Sequence, residues 1–236
     1  MTENQKKKFS IKEFINTPTV PLKVTYSKLF WLFIGGSLIG VVLEGLFCLV
    51  MKGAWETHVI TIWGPFCIIY GMGAAGFYVA AAALQKQNMI VKFIAIAVVG
   101  DLVEIFCSVI LQFGMHMKAW DYSGQRFNFQ GRISLVMTLA WGLLGTLYIY
   151  LAVPRLEKLF EKMQGKAWKI VCIAFTVFMI VNFIVTLTCM VRWTQRHRNI
   201  ETNNRFLEFV DKKYDDDRMG TRFCEWSFID SHDKNT

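Results

Sequence analysis

Nowhere in the 236 residues is there a GxxxxGK[ST] phosphate loop; Gly165-Lys166 lacks the preceding glycine, so the chain brings no nucleotide-binding loop of its own. Disulfide and zinc spacings are missing too. Five of the six cysteines, Cys48, Cys67, Cys107, Cys172 and Cys189, fall in apolar stretches, where they read as small interface side chains, and only Cys224 lies in a polar tail. The four histidines, His58, His116, His197 and His232, are scattered. With no nucleophile motif, metal cluster or cofactor loop, no catalytic residue, metal or cofactor is assigned. Charged residues make up only 19% of the chain, and the net charge of +8 is spread over loops beside apolar segments. Without a basic helix or an aromatic RNA-binding pattern, nucleic acid is excluded as a partner.

What is present is hydrophobicity: 54% of residues are apolar and 15% aromatic, and mean hydropathy is positive. A spanning helix needs roughly 20 predominantly apolar residues. Segments at about 28–51, 59–84, 90–114, 132–153 and 168–193 qualify, which predicts an all-α polytopic membrane helix bundle of about five transmembrane helices in contact with membrane lipid. Lys6, Lys7 and Lys8 precede the first run, but it starts too late and runs too long for a secretory signal. The chain then divides into an N-terminal segment 1–27, a four-helix core 28–153, a loop 154–167, a fifth helix 168–193 and a polar tail 194–236.

Orientation follows from lysine and arginine near the helix ends. With the N-terminus in the cytoplasm, the inner side holds Lys6, Lys7, Lys8, Lys12, Lys23, Lys86, Lys92, Arg155, Lys158, Lys162, Lys166 and Lys169, against Lys52, Lys118, Arg126 and Arg132 in the outer loops. Arg192, Arg196 and Arg198, beside the last helix, count against this assignment. In the tail, Phe206, Val210 and Tyr214 recur every four residues, an amphipathic helix suited to the membrane surface or to covering the bundle. Asp215, Asp216 and Asp217 read as a solvated turn, with cation binding as the alternative.

Several helices carry polar stripes. Gly36, Gly40 and Glu44 share one face of the first helix, where small residues allow a neighbouring backbone to approach closely. In the third, Asp101, Glu104, Ser108 and Gln112 line one face of an otherwise apolar rod. Ser134, Thr138, Gly142 and Gly145 form a narrow seam in the fourth, and Asn182 and Thr186 sit one turn apart in the fifth, as ordinary interhelical contacts. An intramembrane carboxylate costs about 2.5 to 3.5 kcal/mol on insertion scales and normally faces protein or water. At about 1.5 Å per residue, Glu44 lies about 7 Å to the outer side of its helix centre and Glu104 a few Å to the outer side of its own. The loop WDYSGQRFNFQGR, 120–132, falls on that same side. Two readings follow: Glu44 and Asp101 hydrogen-bond to neighbouring helices, or the carboxylates form a site for a polar or charged ligand with Arg132 at its mouth and Trp120, Asp121 and Tyr122 at its entrance.

These features resemble the bacterial ABC-transporter type IV (CmpB-type) family of integral membrane proteins. The resemblance rests on Glu44, on GPFCIIYGMG at 64–73, on Glu104 and Ser108, and on WDYS, Asn128, GRI and WG between 120 and 142. It covers roughly 30–154 and leaves the fifth helix and tail outside. The family commonly has proline where this chain has Ile68, often has a second acidic residue at Gln112, and often has an asparagine-arginine pair before the GP motif that is missing here. The resemblance implies a permease-like component in a bacterial cell membrane, served by a separate ABC-type ATPase subunit. Its ligand-binding candidates are Glu44, Tyr70, Asp101, Glu104, Ser108, Trp120, Asp121, Tyr122, Asn128 and Arg132. The segment 154–169, with Leu156, Leu159 and Phe160 among its charges, suits a short coupling helix or a solvated connector. Alternatives are an intramembrane enzyme using Glu44, Asp101 and Glu104 for acid and base chemistry, or a sensor or assembly subunit.

Overall fold

The computed structural model describes residues 21–56 and 59–229. Lys6, Lys7, Lys8 and Lys12 of the orientation count, together with His58, His232 and the Lys52 side chain, lie outside the described residues. The bundle is built from α1 (Tyr26–Lys52), α2 (Ile68–Ala83), α3 (Met89–Val109), α4 (Leu135–Leu147), α5 (Val153–Lys162) and α6 (Lys166–His197). Five-residue π-helical turns extend α3 over Ile110–Gly114 and join α4 to α5 over Tyr148–Ala152. Side-chain caps at Thr25, Asn88 and Ser134 accept from the first-turn amides of α1, α3 and α4 and satisfy donors a helix cannot satisfy itself.

Four helical stretches are long and apolar enough to cross a membrane: Tyr26–Val50, Met89–Gly114, Leu135–Lys162 and Lys166–His197. Only 22% to 33% of their most apolar windows is buried within the protein, so the remaining apolar surface must face lipid. The four stretches, with the shorter α2, make an all-α polytopic membrane bundle. Close packing of α1 on α2 depends on glycine. A Cβ at Gly36 would stand 2.6 Å from the Ala74 Cβ and 2.8 Å from the Tyr70 carbonyl oxygen.

The second apolar segment differs from its expected extent, because α2 begins only at Ile68 and residues 59–67 are not helical. Gly64, at φ +73°, and Pro65 turn the chain there. Its backbone is satisfied by side chains from α6: Trp63 N–H donates to Asn182 Oδ1 at 3.1 Å, Asn182 Nδ2 donates to Trp63 O at 2.8 Å, and Ile62 N–H donates to Thr186 Oγ1 at 2.9 Å. Cys67 N–H donates to the Ser37 carbonyl on α1. Irregular backbone is tolerated at membrane depth only where protein satisfies it in this way. Asn182 and Thr186 therefore hold a loop rather than a neighbouring helix.

At the end where α1 begins, Lys28 Nζ pairs with Glu157 Oε2 at 2.5 Å, and the Tyr78 hydroxyl donates to Glu157 Oε1 at 2.6 Å. This ties α1, α2 and α5 together and buries a charge from the 154–169 segment. At the opposite end the tail forms a cap from α7 (Arg205–Lys213), α8 (Asp216–Arg222) and a strand, β2 (Ser227–Phe228), antiparallel to β1 (Met117–Lys118). Val210, Tyr214, Met219 and Phe223 pack on Met117, Met190 and Trp193. Arg192 and Arg196 of α6 pair with Asp211 at 2.5 Å, and Arg196 also pairs with Asp216. Arg222 donates to the Thr61 and Gly64 carbonyls. Val210 and Tyr214 are buried as the spacing predicts, but Phe206, the first position of the stripe, is 63% exposed. Two of the three aspartates in the run are structural: Asp215 caps α8 and Asp216 engages Arg196.

Candidate functional site

Two tyrosine-carboxylate pairs lie in the bundle near its capped end. The Tyr70 hydroxyl of α2 donates to Glu44 Oε1 of α1 at 2.9 Å. From the loop between α3 and α4, the Tyr122 hydroxyl donates to Glu104 Oε1 of α3 at 3.2 Å. Glu104 is 3% exposed, and its second oxygen, Oε2, has no hydrogen-bond partner. Trp141 of α4 stands between the pairs, its ring centroid 5.2 Å from that of Tyr70. Its indole N–H approaches Glu104 without reaching hydrogen-bond geometry and is itself buried without a partner. Glu104 is within electrostatic reach of both Asp101 and Glu44. Burial, then the neighbouring Glu104 carboxylate, raises the Tyr122 phenol above its ordinary range, so it donates as a neutral hydroxyl.

Asp101 is engaged separately: the Thr138 hydroxyl of α4 lies 2.9 Å from each of its oxygens. This is the interhelical hydrogen bond considered from the sequence for Asp101, and the Tyr70 bond is its counterpart for Glu44. Further towards the cap on the same face of α3, Ser108 Oγ accepts from Arg132 Nη1 at 2.7 Å, and Gln112 Oε1 accepts from Arg132 Nη2. Gln112 belongs to the π-helical turn, a distortion that often accompanies functional sites.

The 119–134 loop is stapled by its own motif residues. Trp120 Nε1 donates to the Arg132 carbonyl at 2.9 Å. Asn128 Nδ2 donates to the Ser123 and Gln125 carbonyls, and Gly131 N–H donates back to Asn128 Oδ1. Asp121 accepts from Ser123 and Lys118. Partial burial pushes the Asp121 carboxyl up, but the hydrogen bonds from Lys118 and Ser123 outweigh it and hold the group at about 2. Gly131, at φ +66°, sits where a Cβ would meet Asp121 and Ser123. Of the ten expected residues, Glu44, Tyr70, Glu104 and Tyr122 are thus brought together, Ser108 and Arg132 pair beyond them, and Trp120, Asp121 and Asn128 shape the loop that delivers Tyr122 and Arg132.

The sequence reading passes over Trp141, though it lies in the WG pair. It also passes over Cys48, Glu56 and Glu225, whose ligand atoms lie within 4.8 Å of one another and form the group of donors among the described residues able to hold a metal ion. No spacing signal links residues so far apart in the chain.

A lipid-facing helical bundle with carboxylates drawn into its interior is an integral membrane protein. The family model described as "Putative ABC-transporter type IV" matches residues 31–187. The chain belongs to that family, and the match runs beyond 154 through most of α6, so the fifth membrane segment is part of the family region. No curated protein and no solved structure shows significant similarity to the chain.

Proposed function

We propose that the chain is the permease-like membrane component of a transporter in a bacterial cell membrane, with an intramembrane acidic site for a polar or charged ligand. The observation that carries this reading is Glu104 Oε2. Leaving a buried acceptor unsatisfied costs about 1 to 3 kcal/mol, and more when it is charged. The Trp141 indole N–H that approaches this carboxylate does not complete it, whereas a ligand donor or cation can. Glu44, supplied by a different helix and oriented by Tyr70, offers a second carboxylate within reach. Asp101 lends charge from its place against Thr138. In this reading Arg132 and the 119–134 loop stand at the entrance.

The lysine and arginine asymmetry supports an N-terminus in the cytoplasm. Arg192 and Arg196, which weigh against it, serve as ion-pair partners for the cap. Energy would come from a separate ABC-type ATPase docked on α5, where Lys158, Leu159 and Lys162 are exposed while Glu157 and Phe160 anchor the helix. Membrane lipid is the other partner. The test is charge reversal, Lys158→Glu with Lys162→Glu, followed by comparing ATPase recovery with the parent after purification in mild detergent. Loss of the ATPase supports the permease. Turnover of a solute by the lone protein in liposomes without ATP, abolished by Glu104→Gln, would replace it with an intramembrane enzyme.

A further inference from the structure

A cleft of about 740 Å³ opens at the capped end of the bundle, between the π-helical turn of α3, the 119–134 loop and strand β2. That volume falls in the range of small-molecule sites. Arg132 lines it and is only 8% exposed. Its guanidinium donates to neutral acceptors alone: Ser108 Oγ at 2.7 Å, Gln112 Oε1, and Gln130 Oε1 at 3.4 Å. The Phe113 ring lies 5.8 Å from it. Among the described residues no carboxylate forms an ion pair with Arg132. The acid that lines the same cleft, Asp121, is already paired with Lys118. The wall therefore carries one net positive charge, held on a largely buried group, and a buried charge without a counterion is strongly disfavoured. A guanidinium has five N–H donors. Three are used here, and two remain for a planar, two-oxygen acceptor.

We propose that this cleft is an anion seat, in which Arg132 takes a carboxylate or phosphate group. The inference rests on reading this end of the bundle as the ligand entrance, and it adds the chemistry of the group received there. The anion can come from a soluble ligand or from a lipid headgroup. Its position beyond Ser108, one helical turn from Glu104, suits a ligand that is anionic at the cleft and polar or cationic towards the carboxylates.

The test uses the full chain purified in a neutral detergent. One arm titrates inorganic phosphate and acetate by calorimetry; the other compares micelles containing phosphatidylglycerol with micelles containing phosphatidylcholine by native mass spectrometry. Binding in the first arm identifies a soluble anion, and selective retention of phosphatidylglycerol identifies a lipid headgroup. Gln112→Glu is the decisive variant, because it is nearly isosteric and places an internal countercharge on the atom that already meets Arg132 Nη2. It should fold as the parent does and weaken anion binding by about tenfold or more, the equivalent of one charge-assisted hydrogen bond. Arg132→Lys, which keeps the charge but not the fork, should also weaken binding. Parent protein that binds no anion in either arm, or Gln112→Glu that binds as well as the parent, overturns the proposal. Inorganic phosphate and acetate probe the Arg132 cleft without engaging the carboxylates. Failure of the anion seat thus leaves the acidic site standing, and failure of the acidic site leaves the seat standing.

Discussion

Gly40→Ala is a small substitution with a large expected effect. A Cβ at Gly40 would lie 2.5 Å from Tyr70 Cγ and 2.8 Å from its Cδ2. The nearest atom of all would be Tyr70 Cβ, which rotation of the ring cannot withdraw, so α1 and α2 must separate at this level although Gly36 and Ala74 meet tightly one turn earlier. The Tyr70 hydroxyl is carried away from Glu44, and their 2.9 Å hydrogen bond breaks. Overpacking costs about 1 to 3 kcal/mol, and losing a hydrogen bond to a charged group costs about 1.5 to 3 kcal/mol, so the sum is roughly 2.5 to 6 kcal/mol. Tyr70→Phe removes the hydroxyl alone and should cost only the second part. The assay is reversible unfolding from mild detergent into dodecyl sulfate for the parent, both single variants and the double variant. The two costs should overlap in the double variant, because a displaced ring has already lost the bond. A Gly40→Ala protein as stable as the parent, or strictly additive costs, would refute the claim that the GxxxG face exists to seat Tyr70 against Glu44.

Asn182→Leu should free the 59–67 loop from α6, since it removes both hydrogen bonds to Trp63; a cost of about 2 to 4 kcal/mol is expected, read by the same unfolding assay and by faster hydrogen exchange at Ile62 and Trp63. The cap should loosen in acid. Burial raises the Asp211 carboxyl, but Arg192 and Arg196 outweigh this and hold it below its ordinary value of 3.8. Its contribution is therefore complete above that value and lost as pH falls through the lower folded one. Proteolysis of the tail should rise only in that acid window, and Asp211→Asn should show the raised proteolysis already at neutral pH.

The membrane helices are legible because lipid-facing surface demands continuous apolar runs, and a run such as 90–114 has no other use. The polar stripe of α3 is legible for the converse reason: at helical spacing, Asp101, Glu104, Ser108 and Gln112 cannot all avoid lipid unless they face protein. The 59–67 loop is legible only in its Gly64-Pro65 turn. The rest is as apolar as a helix requires, and what satisfies its backbone outside helical geometry is the set of side-chain donors and acceptors on Asn182, Thr186 and Arg222, more than a hundred residues away in sequence. Burial of Glu157 is hidden likewise, because its partners Lys28 and Tyr78 come from other helices. Within the site, motif residues draw attention without revealing their work. Trp120, Asp121 and Asn128 hold a loop in shape, whereas Tyr122, between them, is the one that reaches Glu104.

The acidic site is tested most directly by Glu104→Gln and Glu44→Gln in the full chain. The amide at 104 keeps an acceptor for Tyr122 and nearly the same volume, so both variants should insert and unfold within about 1 kcal/mol of the parent. The measurement is identification and titration, by native mass spectrometry in mild detergent, of the small molecule that co-purifies with the parent. The account predicts that this molecule is retained by the parent and lost from both variants while their stability is unchanged. Retention of the same molecule at the same occupancy in both variants would contradict it and leave the carboxylates as structural groups.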